Sequence, residues 1–358
     1  MARKATHGST MEALLAAELP AGDDWQFEPK WDGFRCLARR DGAEVTLTSK
    51  SGKPLARYFP EVIEMLAGLE AKRFVLDGEL IILVGDVLSF DALQQRLHPA
   101  ESRIRKLAKE TPAGVMAFDL LELDDTPLTA ESLRERRKAL ERFFAKNAAP
   151  GLHLSPATTD RKIALGWLER SGGALDGVIA KRLDLDYRPG ERAMIKVKQQ
   201  RTADCVVGGF RYAEKKREVG SLLLGLYNDE GLLDHVGFTS ALAAADRPAL
   251  TKKLEKLIEP PGFTGNAPGS PSRWNNERST QWHPLKPVLV VEVRYDQVTG
   301  RRFRHGTGFL RWRPDKDPKR CAFDQLAPEL RPSELEELFS ASRSRRGTRR
   351  PSERRSER

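Results

Sequence analysis

A change of texture near residue 200 constrains the fold of this 358-residue chain more than any other feature. Before it, strand-like apolar runs alternate with helical ones. After it, short strands follow one another between turns, with a single helical stretch among them. At about 150 residues per domain, the length also leaves room for two cores.

In the first part, residues 34–39 and 43–48 flank Asp41-Gly42, a strong short-range signal for a tight hairpin. Residues 74–83 and 114–123 read as buried strands, and 177–182 and 194–199 as later ones. Helices are expected over 59–69, 90–97, 130–145 and 160–171, with Thr129 capping the third and Gly172-Gly173 ending the fourth. Beyond residue 200, strands are expected at 204–211, 219–227, 231–238, 288–296 and 308–313, with a helix at 245–258. Five strands and one interposed helix suit a small closed barrel of the OB type. The expected fold class is α+β: an antiparallel-sheet domain over 1–200, an OB-fold β-barrel over 201–335, and a basic tail over 336–358.

Lys and Arg number 61 against 51 Asp and Glu, a net charge of +10. Residues 341–358 hold eight Arg and two Glu, so this stretch carries +6 of that excess. An acidic polymer is a favoured partner, although a solvated, disordered end explains the same composition. No apolar run reaches the ~18 residues of a membrane span, and the N-terminus has no secretory pattern. Cys36, Cys205 and Cys321 match no zinc spacing, and reduced thiols fit a cytoplasmic protein.

The densest chemical constellation is Glu28-Pro29-Lys30-Trp31-Asp32-Gly33-Phe34-Arg35. A lysine amine attacks phosphorus only when neutral, and at a pKa of about 10.4 fewer than about one in a thousand is neutral at pH 7. Lowering that pKa by about three units needs about 4 kcal/mol of differential stabilisation from nearby cations or a divalent metal. Further lysines and carboxylates must therefore converge on Lys30. Candidates follow in order: Asp77-Gly78-Glu79, Phe118-Asp119, Asp176-Gly177-Val178-Ile179-Ala180-Lys181, Ile195-Lys196-Val197-Lys198 and Arg313-Pro314-Asp315-Lys316. Singly, each has an ordinary structural explanation: Phe118 as a core aromatic, Glu79 and the I-K-V-K alternation as the wet face of a strand.

As an ordered series, these motifs resemble the covalent nucleotidyltransferase superfamily of ATP-dependent DNA ligases, RNA ligases and capping enzymes. The resemblance implies that Lys30 is the nucleophile that becomes adenylylated and that Glu28 accepts the adenine 6-amino group. It implies that Arg35 and Glu79 contact the ribose, that Phe118 stacks on the base, and that Lys181 belongs to the same nucleotide site. Asp176, with Glu79, would serve Mg²⁺ or Mn²⁺, while Lys196 and Lys198 would hold the α-phosphate. Arg313, Asp315 and Lys316 would orient the pyrophosphate. Lys50, in Ser49-Lys50-Ser51-Gly52, is the candidate for the DNA 5′-phosphate, with Arg35 beside it.

This sequence departs from the family pattern in three places. Asp176 stands where Glu is commoner, Met194 where Trp is, and Lys50 where Arg is. Likeness to DNA ligases extends to Tyr187–Arg192, to Leu133–Arg137, to Phe90…Leu93-Gln94-x-Arg96, and to 220–227 and 305–316 in the barrel. The last resembles the small bacterial LigC-type ligases. With only 29 residues before Lys30, a minimal two-domain, monomeric ligase is expected. Its partner would be nicked or broken duplex DNA, with repair as the setting and a Ku-type end-binding protein as a further partner. A hinge is expected at Gln199–Ala203. The rival readings are a capping-like guanylyltransferase, disfavoured by Glu28, and a non-catalytic OB-fold DNA-binding protein with a relict nucleotide site.

Overall fold

The computed structural model describes residues 9–326 except 85, 86, 170, 172–174, 200, 215, 270–280, 297, 300 and 305. The chain divides into two compact units, with the division in sequence between Lys198 and Gln199.

Unit one contains strands β1 (Ala13–Ala16), β2 (Trp25–Trp31), β3 (Phe34–Asp41), β4 (Glu44–Ser49), β5 (Arg73–Val84), β6 (Val87–Leu88), β7 (Ala113–Leu123), β8 (Thr126–Pro127), β9 (Leu152–Leu154), β10 (Leu175–Arg182) and β11 (Met194–Val197). Its helices are α1 (Pro60–Gly68), α2 (Phe90–Arg96), α3 (Glu101–Glu110), α4 (Leu133–Lys146) and α5 (Arg161–Glu169). One sheet runs β4-β3-β5-β7-β8, with β6 on β5 and β9 parallel to β7. The other runs β1-β11-β10-β2, with β1 parallel to β11. Antiparallel pairing dominates both. Helix α4 lies on β7, and α5 packs on β2 and β10, so each sheet has an apolar cover. Phe74, Leu76 and Leu140 are fully buried under the first, and Phe27 and Trp167 under the second.

Unit two contains β12 (Arg201–Ala213), β13 (Lys216–Tyr227), β14 (Leu233–Thr239), helix α6 (Arg247–Glu255), β15 (His283–Pro284), β16 (Val290–Tyr295), β17 (Val298–Thr299), β18 (Arg302–Phe303) and β19 (Gly308–Trp312). The sheet order is β14-β13-β12-β16-β19. A parallel bridge between Thr239 and Thr307 closes it, with Thr307 N donating to Phe238 O at 3.2 Å. Closure removes the free edges that an open sheet of this size would expose. Helix α6 packs on β13, where Thr251 Oγ1 accepts from Val219 N at 2.8 Å.

His235 sits inside this barrel, 8% exposed, with Arg302 Nη2 at 2.5 Å from its Nδ1. Burial first, then the positive charges of Arg302 and Arg211, push its pKa from 6.5 down to about 3. The folded barrel therefore keeps His235 neutral at a pH where the unfolded chain has already taken up the proton. Stability is expected to fall as pH drops below 6.5, by about 1.4 kcal/mol per pH unit and about 2 kcal/mol by pH 5. Denaturant midpoints measured between pH 7 and 5 check this, and His235→Asn should flatten the slope.

Several element boundaries differ from the sequence reading. Helix α4 starts at Leu133 rather than 130, because Ser132 and not Thr129 is its N-cap: Ser132 Oγ accepts from Glu135 N. Helix α3 was not expected, since its apolar stripe is narrow, only Ile104 and Ala108 being buried in a strongly charged segment. Strand β2 was hidden by Glu28, Pro29 and Lys30. Proline is tolerated there because β2 is the last strand of its sheet. Arg201–Ala203, expected in a hinge, pair with Tyr295–Val293 as the start of β12. Gln200, the Gly172-Gly173 helix stop and the Arg-rich tail lie outside the described residues.

Candidate active site

The segment Lys30–Arg35 crosses from one sheet of unit one to the other. Lys30 is near the end of β2 and Arg35 near the start of β3, so Asp32-Gly33 makes the crossing. A Cβ on Gly33 would lie 2.2 Å from Leu80 O and 2.8 Å from Glu79 Cγ, which only glycine avoids. The crossing forms one wall of a cavity of about 520 Å³, whose other walls come from β1, β5, β7, β10 and β11. Six cationic side chains and three carboxylates line it, a surplus of positive charge suited to a polyphosphate.

Lys30 Nζ lies 2.5 Å from Asp176 Oδ2, and Lys198 Nζ lies 2.9 Å from the same oxygen. The Asp176 carboxylate is exposed only 10%; burial works against its charge, but Lys30 and Lys198 hold its pKa below the ordinary value. It is consequently a weak base and a strong anchor, aiming the Lys30 amine more readily than it removes a proton. Asp176 lies where the pairing of β10 with β2 is irregular, between Leu175 and Val178. At Gly177 the backbone has φ +121°, and a Cβ would fall 2.1 Å from Val197 O. Lys196 and Lys198 alternate with Val197 along and just beyond β11 and so share a face. Burial, then the charges of Lys30, Lys198 and Lys50, lower the pKa of Lys196.

Deeper in, Glu28 and Lys181 form a buried ion pair with Nζ 2.8 Å from Oε2. Gln26 Nε2 donates to Glu28 Oε1 at 2.7 Å. Glu28 thus lines the cavity with both oxygens already engaged, though a carboxylate has acceptor capacity beyond that. Lys181 Nζ makes no directed hydrogen bond and stands 4.6 Å from the Phe118 ring centroid, with Arg35 at 5.0 Å from the same ring. Phe118 lines the cavity and is the extra residue of a β-bulge: Asp77 pairs with Asp119 and Gly78 with Ala117.

Arg35 is held by Asp77 through bonds of 3.0 and 2.6 Å, and Tyr187 Oη donates to Asp77 Oδ2 at 2.7 Å. Glu79 sits opposite Arg35 across β3 and β5. Burial pushes its pKa up to about 7, against the pull of Lys30 and Arg35. At the mouth, Lys50 Nζ lies 3.1 Å from Glu12 Oε1. Sequence reasoning passed over Glu12 and Gln26, and gave no role to Asp77, Ile179 and Arg192 although they stand inside the quoted motifs. The period-2 partnership of Asp77 with Glu79, and of Ile179 with Lys181, could have found two of them. Arg96 and Arg136, in segments read as ligase-like, are buried against Glu61 and Asp119.

Among the described residues there is no group of three or more His, Cys, Asp or Glu placed to hold a metal. Asp176 touches Lys30 and Lys198, and Glu79 lines the cavity; two carboxylates would be a sparse donor set, of the kind that suits an ion such as Mg²⁺ that keeps its waters and binds with substrate phosphates.

In unit two, Arg313 Nη1 donates to Asp204 Oδ1 and Oδ2 at 2.9 and 3.1 Å. Its Nε and Nη2 face Asp315 at 3.0 and 2.9 Å, and Lys316 Nζ lies 3.5 Å from Asp204 Oδ2. The bonds from Arg313 hold Asp315 at a pKa of about 2.

Comparison with known proteins matches residues 5–198 to the ATP dependent DNA ligase domain and 215–316 to the ATP dependent DNA ligase C terminal region. DNA ligase C2 of Mycolicibacterium smegmatis is 48% identical, over 89% of this chain and 94% of its own. DNA ligase C of Mycobacterium tuberculosis is 44% identical, over 90% and 94% respectively. The multifunctional non-homologous end joining DNA repair protein LigD of M. tuberculosis is 32% identical, over 88% of this chain and 38% of its own.

Proposed function

The chain belongs to the ATP-dependent DNA ligase family, and from that premise we propose that Lys30 is the residue that carries AMP. As a ligase of this family it uses ATP and a divalent metal to seal breaks in DNA. The observation that carries the residue assignment is the Lys30–Asp176–Lys198 contact at the edge of a cationic cavity.

In the first step Lys30 Nζ, having released a proton to solvent, attacks the ATP α-phosphorus. The N–P bond forms, the bond to the bridging oxygen breaks, and pyrophosphate leaves. Lys196 and Lys198 meet the negative charge that grows on the α-phosphate oxygens, and fixed cations act most strongly where charge develops. A second attack, by an oxygen of the DNA 5′-phosphate, moves AMP from Lys30 to the strand end. Lys50, with Arg35, holds that phosphate. The adjacent 3′-hydroxyl then attacks the activated phosphorus, joining the strand and expelling AMP. Arg35 and Glu79 hold the ribose, Glu28 and Lys181 the adenine edge, and Phe118 the face of the base. Arg313, Asp315 and Lys316 orient the pyrophosphate. Glu79 and Asp176 would hold Mg²⁺ or Mn²⁺, which when bound neutralises phosphate oxygens.

The substrate we propose is nicked or broken duplex DNA, and the setting is repair. The end-joining relative LigD supports that setting and makes a Ku-type end-binding protein a candidate partner. Sealing of a nicked duplex labelled at its 5′-phosphate, with ATP and with GTP, tests the reading. ATP alone should support joining, whereas equal joining with GTP would favour a guanylyltransferase-like site. Phe118→Ala should raise the KM for ATP by about 5- to 150-fold, since a base–aromatic stack is worth about 1–3 kcal/mol. Titrating ATP in the lysyl-AMP reaction checks that.

A further inference from the structure

Asp204 lies on β12 directly opposite Glu292 on β16. Two carboxylates facing each other across a ladder repel and weaken the sheet unless a cation serves them. Arg313 is that cation for Asp204: its Nη1 lies 2.9 Å from Asp204 Oδ1 and 4.0 Å from Glu292 Oε2, while Arg311 Nε lies 2.6 Å from that same Glu292 oxygen. The two acids that hold Arg313 most closely differ in character. Asp204 is 12% exposed, and its backbone is clamped by the Gln325 side chain, which donates to Asp204 O at 3.0 Å and accepts from Asp204 N at 2.9 Å. Asp315 is 64% exposed and grips the opposite edge, Nε and Nη2.

We infer that Asp204 is the positioning residue of the Arg-x-Asp-Lys motif: it fixes the Nη1 edge of Arg313 and steadies Lys316, so that the Nε/Nη2 edge is the one offered to the departing pyrophosphate. Asp315 holds that outward edge at rest and yields it to an incoming phosphate. The inference rests on the proposed role of Arg313 and Lys316 in the first step. Buried, backbone-anchored support is what a guanidinium needs to meet phosphate in a fixed orientation.

The test measures two reactions separately: lysyl-AMP formation from labelled ATP over a range of ATP concentrations, and joining of a duplex nick that already carries AMP on its 5′-phosphate. Asp204→Asn keeps the shape and removes the charge. It should slow lysyl-AMP formation by about 10- to 100-fold, the cost typical of a catalytic group set loose by about 1 Å. Joining of the pre-adenylylated nick should stay within about threefold of the parent, and Asp204→Glu should recover part of the first step. A loss of both reactions together would make Asp204 a residue of the barrel's stability and overturn the inference. Arg313→Ala is the reference. If it slows lysyl-AMP formation and Asp204→Asn does not, the inference fails while the role of Arg313 stands. If Arg313→Ala leaves that step intact, the role of the motif itself is wrong.

Discussion

Alanine at position 30 is expected to reduce ATP-dependent sealing to below about one ten-thousandth of the parent rate, since removal of a covalent nucleophile leaves no alternative route. Arginine should fail as completely. A guanidinium keeps its proton at any workable pH and cannot attack phosphorus. Lys30→Ala should still join a pre-adenylylated nick at a measurable rate, because that step needs the cationic cavity but no AMP on the protein. Joining of both substrates by Lys30→Ala at the parent rate would remove Lys30 from the chemistry. Failure on both would implicate folding, which thermal unfolding of the variant would reveal.

The largest expected effect on stability lies behind the site. Asp119, 2% exposed, receives Arg136 Nε and Nη2 at 2.8 and 3.1 Å, and Arg136 is fully buried. Arg136 also donates to Glu131 O and Leu185 O at 2.6 and 3.2 Å, tying β7, α4 and the chain after β10 together. Asp119→Ala removes the counter-charge and strands a guanidinium in the interior. Breaking such a pair from one side costs about 3–5 kcal/mol, whereas replacing both partners with apolar residues is often neutral. At about 2–4 °C per kcal/mol for a unit of this size, Tm should fall by about 6–20 °C. Asp119→Leu combined with Arg136→Met should regain most of the loss. Calorimetry of the single and double variants checks both. A drop of only a degree or two in Asp119→Ala would mean that Arg136 is satisfied by its carbonyls alone.

Legibility in the sequence followed the reach of each signal. The hairpin at Asp41-Gly42, the apolar runs that became β5 and β7, and the turn-spaced strands of the barrel are local patterns, and each formed where its pattern lay. The motif residues of unit one were legible as a set because their order along the chain is itself informative. Lys30, Arg35, Glu79, Phe118, Lys181 and Lys196 line one cavity, and Asp176 meets both Lys30 and Lys198. Other features were not local. Nothing near Phe118 announces a bulge, which exists only because β7 pairs with β5 out of step by one residue. Asp204 reads as one acid in a strand until β16 places Glu292 opposite it. Arg96 and Arg136 look like surface charges in amphipathic helices, yet both are buried, because Glu61 and Asp119 arrive from elsewhere to neutralise them. Glu28, read as a partner for adenine alone, turns out to hold Gln26 and Lys181 as well.

The most direct test of the account is to find where AMP attaches. Protein incubated with ATP and Mg²⁺, with a parallel GTP reaction, is digested and its peptides are mapped by mass spectrometry. The account predicts AMP on the peptide containing Lys30, on its Nζ, from ATP only, and loss of that adduct on adding a nicked duplex as the strand is sealed. AMP on another lysine, or none in protein that seals DNA, would contradict it.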